Sequence, residues 1–544
     1  MPTPRSLSYL LGLSLLAAAA CSANSDPGSK VGAQGGSGNG ASGGSGAMGA
    51  TGGLINTGGS DAGVERQTVV IIGPGADADA PTKFGGEAVA AAPELVYPES
   101  GVIVPPNMNS LELHFVPGAG QTLFEFTFQA EKLELIVYLG CNPLGSGCLY
   151  QPDQTFWEQL ASGSRGEQAV RYKVRGVDGA NPGTVGESAE REISFSAEDI
   201  VGGLYYWNDA GVIQRYDFGF ALATSELYMT PAQAGAGVCV GCHAVSPDGH
   251  KMVVGKDIPA PAPYTVFNIA TKQAVQGPSG PVAGAGNFFA FSPDGGQLLY
   301  SNGSRIGWRD ANSGNVVDAQ VVPNGTMPDW SPDGTTLVYS RPATPPPLAS
   351  TGVSGGSLET RIFSAGKFGA PTPLVQSQGE NNYYPAFSPD SQWVLYNRSA
   401  SNTDSYSNTV DGELWVVSRM GGAPQRLGAV SEPGSTSWPK WAPGEHTSAG
   451  NTVMYFTFSS SRAYGLRTTS GGKAQLWMAA FDPSKVGNGD PAAPAFRLPF
   501  QDPTTGNHIA QWVAEIVRRP CSDSAECENG EKCREGVCVP DIVK

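Results

Sequence analysis

The stretch Phe291-Ser-Pro-Asp-Gly295, followed closely by the apolar run Leu298-Leu-Tyr300, is one copy of an internal repeat. Proline presets φ and Asp-Gly supplies a tight turn, so each copy predicts two antiparallel strands joined at a fixed corner. Outer strands such as Leu414-Trp-Val-Val417 follow, and four short strands per unit are typical of a propeller blade. The other copies are Val245-Ser-Pro-Asp-Gly249, Trp330-Ser-Pro-Asp-Gly334, Phe387-Ser-Pro-Asp-Ser391 and the degenerate Trp441-Ala-Pro-Gly444.

Both ends of the repeat region are needed to close the ring. Ala510-Gln-Trp512 aligns with Pro328-Asp-Trp330 as a last inner strand, and its partners lie upstream at Leu204-Tyr-Tyr-Trp207 and Val212 to Tyr216. Such a closure removes exposed sheet edges. The series resembles the TolB-type (PD40-like) propeller repeats of exported bacterial proteins, which implies a six-bladed β-propeller over residues 201–518.

A second all-β unit is predicted ahead of the propeller, over residues 91–200. Apolar residues alternate in Leu111 to Phe115, Leu123 to Phe128 and Leu133 to Tyr138, the pattern of half-buried strands. Further strands at Val170 to Val174 and Ile193 to Phe195 complete a unit of sandwich size. An immunoglobulin-like or fibronectin-like β-sandwich with a spacing or docking role is therefore expected.

The first residues predict export. Arg5 precedes an apolar run that is too short to span a bilayer and ends at Cys21. Leu15-Leu-Ala-Ala-Ala-Ala-Cys21 resembles a bacterial lipobox, with Ala18 where leucine is preferred, so residues 1–21 are interpreted as a signal peptide with a lipidated cysteine. An ordinary secretory signal is the alternative. Residues 22–90, rich in Gly, Ser and Ala, are predicted to form a disordered tether.

The net charge of -16 argues against a nucleic-acid partner, because such binders need a cationic face. The nine cysteines of an exported chain should be committed to chemistry. Cys141 and Cys148 bracket a short loop and are expected to pair. The tail, residues 519–544, contains little apolar sequence, so two disulfides among its cysteines are predicted, with a zinc site as the alternative; these cysteines are Cys521, Cys527, Cys533 and Cys538.

Cys239-Val-Gly-Cys242-His243 matches the covalent attachment motif of c-type cytochromes, in which two thioethers hold the haem and the histidine ligates iron. The motif predicts one haem c, for electron transfer or redox sensing. His508 is the first candidate for a second iron ligand, because it lies two residues before Ala510, which aligns with His243. Further candidates are Met327, His250 and Met252.

The alternative is a Cys239–Cys242 disulfide or redox dithiol on a propeller scaffold that binds a protein or cell-envelope polymer. Enzyme activity is not expected. The two Gly-x-Ser-x-Gly matches, at 40–44 and 352–356, lie in Gly/Ser-rich segments rather than between a strand and a helix. The combined prediction is a lipid-anchored, outer-membrane protein whose membrane contact is the lipid alone.

Overall fold

The computed structural model describes residues 66–220, 222–257, 263–303, 305–345, 352–400, 411–431 and 436–541. The predicted signal peptide, Cys21 and the predicted tether as far as residue 65 lie outside the described residues. Within these ranges no helix is long and apolar enough to cross a membrane. The described chain folds into an N-terminal two-sheet unit, a β-propeller and a small C-terminal module.

The N-terminal unit contains a seven-stranded and a four-stranded sheet that share one apolar core. The larger sheet runs in the order Gln67–Ile72, Leu133–Gly140, Leu123–Gln129, Val170–Val177, Arg191–Phe195 and Val102–Val104, with Gly186–Glu187 beside Val170–Val177. The smaller sheet runs in the order Glu94–Tyr97, Leu113–Val116, Gly147–Tyr150 and Asn142–Leu144. An α-helix, Gln154–Ser162, buries Trp157 and Leu160 in the shared core. The two sheets agree with a sandwich, and the immunoglobulin-like topology stays a prediction.

The tether predicted for residues 22–90 is too long. Gln67–Ile72 pairs in parallel with Leu133–Gly140, and a 3-10 helix, Ala80–Phe84, places Phe84 against the ring of Tyr138. The β-branched run Thr68-Val-Val-Ile-Ile72 explains the strand, because such residues fit a half-buried pleated surface. The Gly- and Ala-rich sequence around this run masked its periodicity.

Six antiparallel sheets follow in the described part of the chain, each with its strands ordered from the inside of the ring outward. Sheet 1 contains Asn507–Val513, Gly203–Asn208, Val212–Asp217 and Glu226–Met229; sheet 2 contains Val240–Val245, Lys251–Lys256, Pro263–Asn268 and Ala283–Ala285. Sheet 3 contains Phe288–Phe291, Gln297–Ser301, Ile306–Asp310 and Val316–Val322; sheet 4 contains Thr326–Trp330, Thr336–Arg341, Ser357–Ser364 and Thr372–Val375, with Lys367–Phe368 added. Sheet 5 contains Asn381–Phe387, Trp393–Ser399, Gly412–Ser418 and Gln425–Arg426; sheet 6 contains Thr436–Trp441, Asn451–Ser460, Gln475–Phe481 and Phe496–Arg497, with His446–Ser448 added.

The inner strands form a closed ring, since each contacts the inner strand of the next sheet and that of sheet 6 contacts that of sheet 1. Sheet 1 is built from both chain ends: Leu204 pairs with Trp512, and Gly203 with Val513. The predicted closure is confirmed. It leaves the inner edge of every sheet facing a central channel.

The repeat forms the predicted corner between the first two strands of sheets 2 to 5. In each copy the serine hydroxyl donates to the aspartate carboxylate two residues later. The same hydroxyl accepts the backbone N–H five residues on, at 2.8 to 2.9 Å. Gly249 has φ 71°, and in sheet 5 Ser391 takes the same place with φ 61°. Side chain and turn therefore lock the corner together.

The N-terminal unit docks on sheet 6 and shares its core. Glu112 accepts two hydrogen bonds from Arg467, at 2.6 and 3.0 Å. It also lies 2.8 Å from Nε2 of His114, whose Nδ1 accepts the backbone N–H of Leu466 at 3.1 Å. These residues form a seam in which every one of the three ionisable groups has a partner. We call it the Glu112 seam.

The cysteine-rich tail is held by disulfides Cys521–Cys533 and Cys527–Cys538, and Cys141 pairs with Cys148. The predicted disulfides are confirmed. The alternative zinc site is wrong, because all four tail sulfurs are used in covalent pairs. Short strands Glu531–Arg534 and Val537–Pro540 complete the module, which contacts sheet 1 through an Arg215–Glu531 ion pair.

Candidate functional site

Five of the six inner strands carry a β-bulge centred on a non-glycine residue with left-handed backbone. These residues are Cys242 (φ 43°), Met327 (52°), Tyr384 (51°), Trp438 (55°) and Ile509 (58°). The strand pairing shifts at each of them. Left-handed backbone is unfavourable for bulky residues and persists only where the surroundings enforce it. Because bulges re-aim side chains, their recurrence around the ring identifies a common purpose at the channel.

The bulges turn apolar side chains into the channel and fill it. Tyr384 stacks on Trp438 with ring centroids 4.1 Å apart, and Phe288 of sheet 3 lies 6.0 and 5.7 Å from these two rings. All members of this group are buried. We call it the apolar plug: Trp207, Phe288, Met327, Tyr384, Trp438 and Ile509.

A cavity of about 40 Å³ remains at the plug, and Cys242, His243, Met327 and Lys440 are among the residues that line it. This volume is far below the roughly 300 to 1,000 Å³ of pockets that hold drug-sized ligands. Lys440 is neutralised by Asp329 at 3.0 Å. The cavity is therefore small, mostly apolar and lined by two sulfur atoms and one imidazole.

Cys242 is a free, buried thiol, and burial raises its pKa to about 12. His243 is 3% exposed, and its Nε2 lies 3.3 Å from the backbone carbonyl of Tyr205. A carbonyl only accepts, so Nε2 carries the proton and Nδ1 carries the lone pair. Nδ1 is buried without a hydrogen-bond partner. Burial lowers the pKa of His243 to about 4, against the raising effect of the Tyr205 hydrogen bond, so the ring is neutral.

The residues of the Cys-x-x-Cys-His motif do not fit a covalent haem. Cys239 is disulfide-bonded and lies against Gly211 of sheet 1, where an added Cβ would come within 3.0 Å of its own Cβ. Cys242 instead packs with Tyr264 and Phe289, toward sheet 3. Two thioethers need both sulfurs at one porphyrin edge, and a 40 Å³ cavity has no room for a macrocycle.

The alternative Cys239–Cys242 disulfide is wrong as well, because Cys242 is a free thiol. The strand explains why. Val240–Val245 is extended, and its bulge directs consecutive side chains to different neighbouring sheets. A Cys-x-x-Cys pair closes most readily where a helical turn brings both residues to one side.

His508 is not brought to His243. Its ring lies beside Trp207, with centroids 6.0 Å apart, and burial lowers its pKa to about 4. Met252 is fully buried between strands, and His250 is exposed in the repeat turn. Of the proposed second ligands, only Met327 lines the cavity of His243.

A second, larger cavity of about 740 Å³ lies between sheets 4 and 5, within the usual size of a binding site. Its charged lining residues are Glu380, Asp411, Glu413 and Arg398. Arg398 lies 3.7 Å from Glu380, and its guanidinium covers the Trp415 ring at 4.1 Å. Three carboxylates against one guanidinium make this groove acidic. We call it the sheet 4–5 groove.

The aromatic members of the plug and the whole sheet 4–5 groove were not predicted from the sequence. A signal for the plug was present: Met327, Tyr384 and Trp438 each precede a proline shortly before an inner-strand aromatic residue. The residue before proline is restricted, and a repeated large apolar residue there indicates a shared backbone device. The groove had no such signal, because its residues come from separate loops.

No family model matches the chain, and no curated protein matches it. Among solved structures, a putative TolB from Agrobacterium tumefaciens is 15% identical with a TM-score of 0.31, over 57% of this chain and 98% of that chain. A puromycin-hydrolysing peptidase from Mycobacterium tuberculosis is 14% identical with a TM-score of 0.30, over 57% and 47%. The β-propeller domain of the Trilobed protease from Pyrococcus furiosus is 11% identical with a TM-score of 0.27, over 57% and 78%. Similarities this weak carry no argument, and the assignment of a β-propeller rests on the closed ring of sheets.

Proposed function

We propose that this chain is an exported, lipid-anchored binding scaffold: a six-bladed propeller of the TolB type behind an immunoglobulin-like sandwich. Three disulfides in the described residues favour an oxidising compartment, in agreement with export. Lipidation of Cys21 would hold the protein at the outer membrane. Membrane fractionation tests the anchor: Cys21→Ser should move the protein to the soluble fraction, and retention in the membrane would contradict it.

The sheet 4–5 groove carries the proposal of binding. It is the largest of the cavities among the described residues, and it combines a tryptophan with carboxylates on a rigid ring of strands. The apolar plug seals the channel beside His243, so a ligand of ordinary size has more room in the groove. Rigid scaffolds with binding residues on their loops are a common arrangement in propellers and related folds.

The charge of the groove favours a cationic partner segment. Arg398 holds Glu380 at only 3.7 Å, a loose pairing that an incoming lysine or arginine can replace. Glu413 is already paired to Arg426 at 2.8 Å, which fixes its position. A basic peptide segment would therefore lie along carboxylates that are held in place before it arrives, which reduces the ordering cost of binding.

Fluorescence anisotropy of a labelled peptide of alternating lysine and alanine tests this proposal. The Glu380→Gln/Glu413→Gln variant should weaken binding about tenfold, since a close charge pair contributes roughly 1.5 kcal/mol or more. The matched control is Glu158→Gln/Glu131→Gln, which makes the same charge change at exposed positions of the N-terminal unit. Equal loss in both variants would show attraction by net charge alone and would overturn the groove as a site.

A further inference from the structure

The cavity at the apolar plug brings together three groups that the proposed scaffold does not use. Cys242, His243 and Met327 line it, from two sheets separated by sheet 3. Cys242 and Met327 occupy equivalent bulges, both with left-handed backbone. The same strained device that aims aromatic rings elsewhere in the ring therefore aims two sulfur-containing side chains at one small space.

His243 is prepared as a ligand. Its Nε2–H donates to the Tyr205 carbonyl at 3.3 Å, which leaves the lone pair on Nδ1. Histidines that bind metals usually donate their other ring N–H to a carbonyl or carboxylate in this way. Nδ1 has no hydrogen-bond partner although the residue is 3% exposed. A buried acceptor without a partner costs about 1 to 3 kcal/mol, a cost that a bound ion would remove.

Met327 is also held in place. Its Sδ accepts the backbone N–H of Tyr384 at 3.4 Å, and the second sulfur lone pair remains available. Packing of the plug on both sides of Met327 restricts its otherwise flexible chain. Thiolate and thioether sulfur together select soft metal ions such as Cu(I), whereas oxygen-binding ions find no carboxylate here that is not already paired, as Asp329 is with Lys440.

We propose that Sγ of Cys242, Nδ1 of His243 and Sδ of Met327 bind one Cu(I) ion in the channel. The ion enters as Cu(I) and stays Cu(I): the thiol loses its proton to solvent, and a copper–sulfur bond forms. The thiolate and the monovalent ion are together neutral, as burial in an apolar cavity requires. A divalent ion would leave one uncompensated charge beside Lys440. The 40 Å³ volume also suits one ion.

Anaerobic titration of the purified mature chain with the Cu(I)–acetonitrile complex, in competition with bicinchoninate, tests the site. Thiol reductants are omitted so that the disulfides stay intact. We expect one ion per chain and a rise in Tm on binding, because a ligand of the native state stabilises it. Cys242→Ser should abolish binding. Met327→Leu, which conserves volume, should weaken it about 10- to 100-fold, the range seen when a metal site loses a supporting group.

Met252→Leu is the matched control, since Met252 is fully buried in the adjacent strand and lines no part of the cavity. It should bind Cu(I) as the parent chain does. Copper absorption spectroscopy should show one nitrogen and two sulfur scatterers. Unchanged binding in Cys242→Ser, equal losses in Met252→Leu and Met327→Leu, or tighter binding of Zn²⁺ that does not respond to Met327→Leu would each overturn the proposal. Because the sheet 4–5 groove is separate, none of these results bears on peptide binding.

Discussion

The channel and the Glu112 seam both bury ionisable groups, but they treat them in opposite ways. In the channel the groups are kept neutral: burial raises the pKa of Cys242 and lowers that of His243. In the seam a carboxylate is kept charged. Burial alone would raise the pKa of Glu112, yet hydrogen bonds from His114 and Arg467 bring it to about 2. The difference lies in the partners that each region supplies.

Structural and functional polar groups differ in whether their hydrogen-bond partners are complete. The seam pairs Glu112, His114 and Arg467 with one another and with backbone, which is what a fixed contact between two units needs. The channel leaves Nδ1 of His243 without a partner inside an otherwise well-packed plug. Satisfied networks rigidify a structure, whereas an unsatisfied group has a cost that packing does not explain. The orphaned atom is therefore the better indicator of a ligand.

Removal of a plug side chain should give the largest effect and tests whether the channel is held by packing alone. Trp438→Ala removes a buried ring stacked on Tyr384 at 4.1 Å, so the free energy of unfolding should fall by about 3 to 5 kcal/mol. Guanidinium denaturation followed by circular dichroism measures it. Met420→Ala, at a methionine that is 85% exposed, should change stability by less than about 0.5 kcal/mol. A loss below about 1 kcal/mol in Trp438→Ala would contradict the role of the plug.

The sequence predicted the propeller because its signal is repeated and local. Each Ser-Pro-Asp-Gly corner is determined by a few adjacent residues, and four readable copies fix the spacing of the ring. The strand Gln67–Ile72 escaped notice because it pairs with Leu133–Gly140 far along the chain, and nothing in its neighbourhood announces that partner.

The site was only partly predictable. Cys242, His243 and Met327 were singled out from the sequence, but as parts of a haem centre with Cys239 and His508. The motif assumes a helical turn, and the chain places these residues on a bulged strand, which sends Cys239 and Cys242 to different sheets. The tautomer of His243 depends on the Tyr205 carbonyl in another sheet, so only the folded structure gives it.

Acid should weaken the seam before the channel. The pKa of Glu112 is lowered in the folded state, so its contribution to stability is fully present above its ordinary value of 4.5 and is lost as the pH falls toward about 2. The loss over that window should be about 3 kcal/mol, from 1.36 kcal/mol for each pKa unit. Urea denaturation at several pH values measures it.

The Glu112→Gln variant provides the control for that experiment. It should be less stable than the parent at pH 7 and should lose less stability between pH 4.5 and 2, because the titrating carboxylate is gone. Glu158→Gln, on the exposed face of the helix, should keep the parent profile. If Glu112→Gln and the parent chain fall in parallel, the acid sensitivity arises elsewhere and the seam is not its source.

The smallest effect is expected at His243, and it decides whether the orphaned imidazole has a structural purpose. His243→Phe introduces the residue that sheet 3 has at the aligned position, Phe289. The substitution loses the Tyr205 hydrogen bond, worth about 1 kcal/mol, but also removes the unsatisfied Nδ1, which costs a similar amount. The free energy of unfolding should therefore stay within about 1 kcal/mol of the parent value, while Cu(I) binding weakens. A loss of about 3 kcal/mol or more would mean that His243 stabilises the plug as the seam residues stabilise theirs. The contrast between a satisfied structural network and an unsatisfied ligand would then fail.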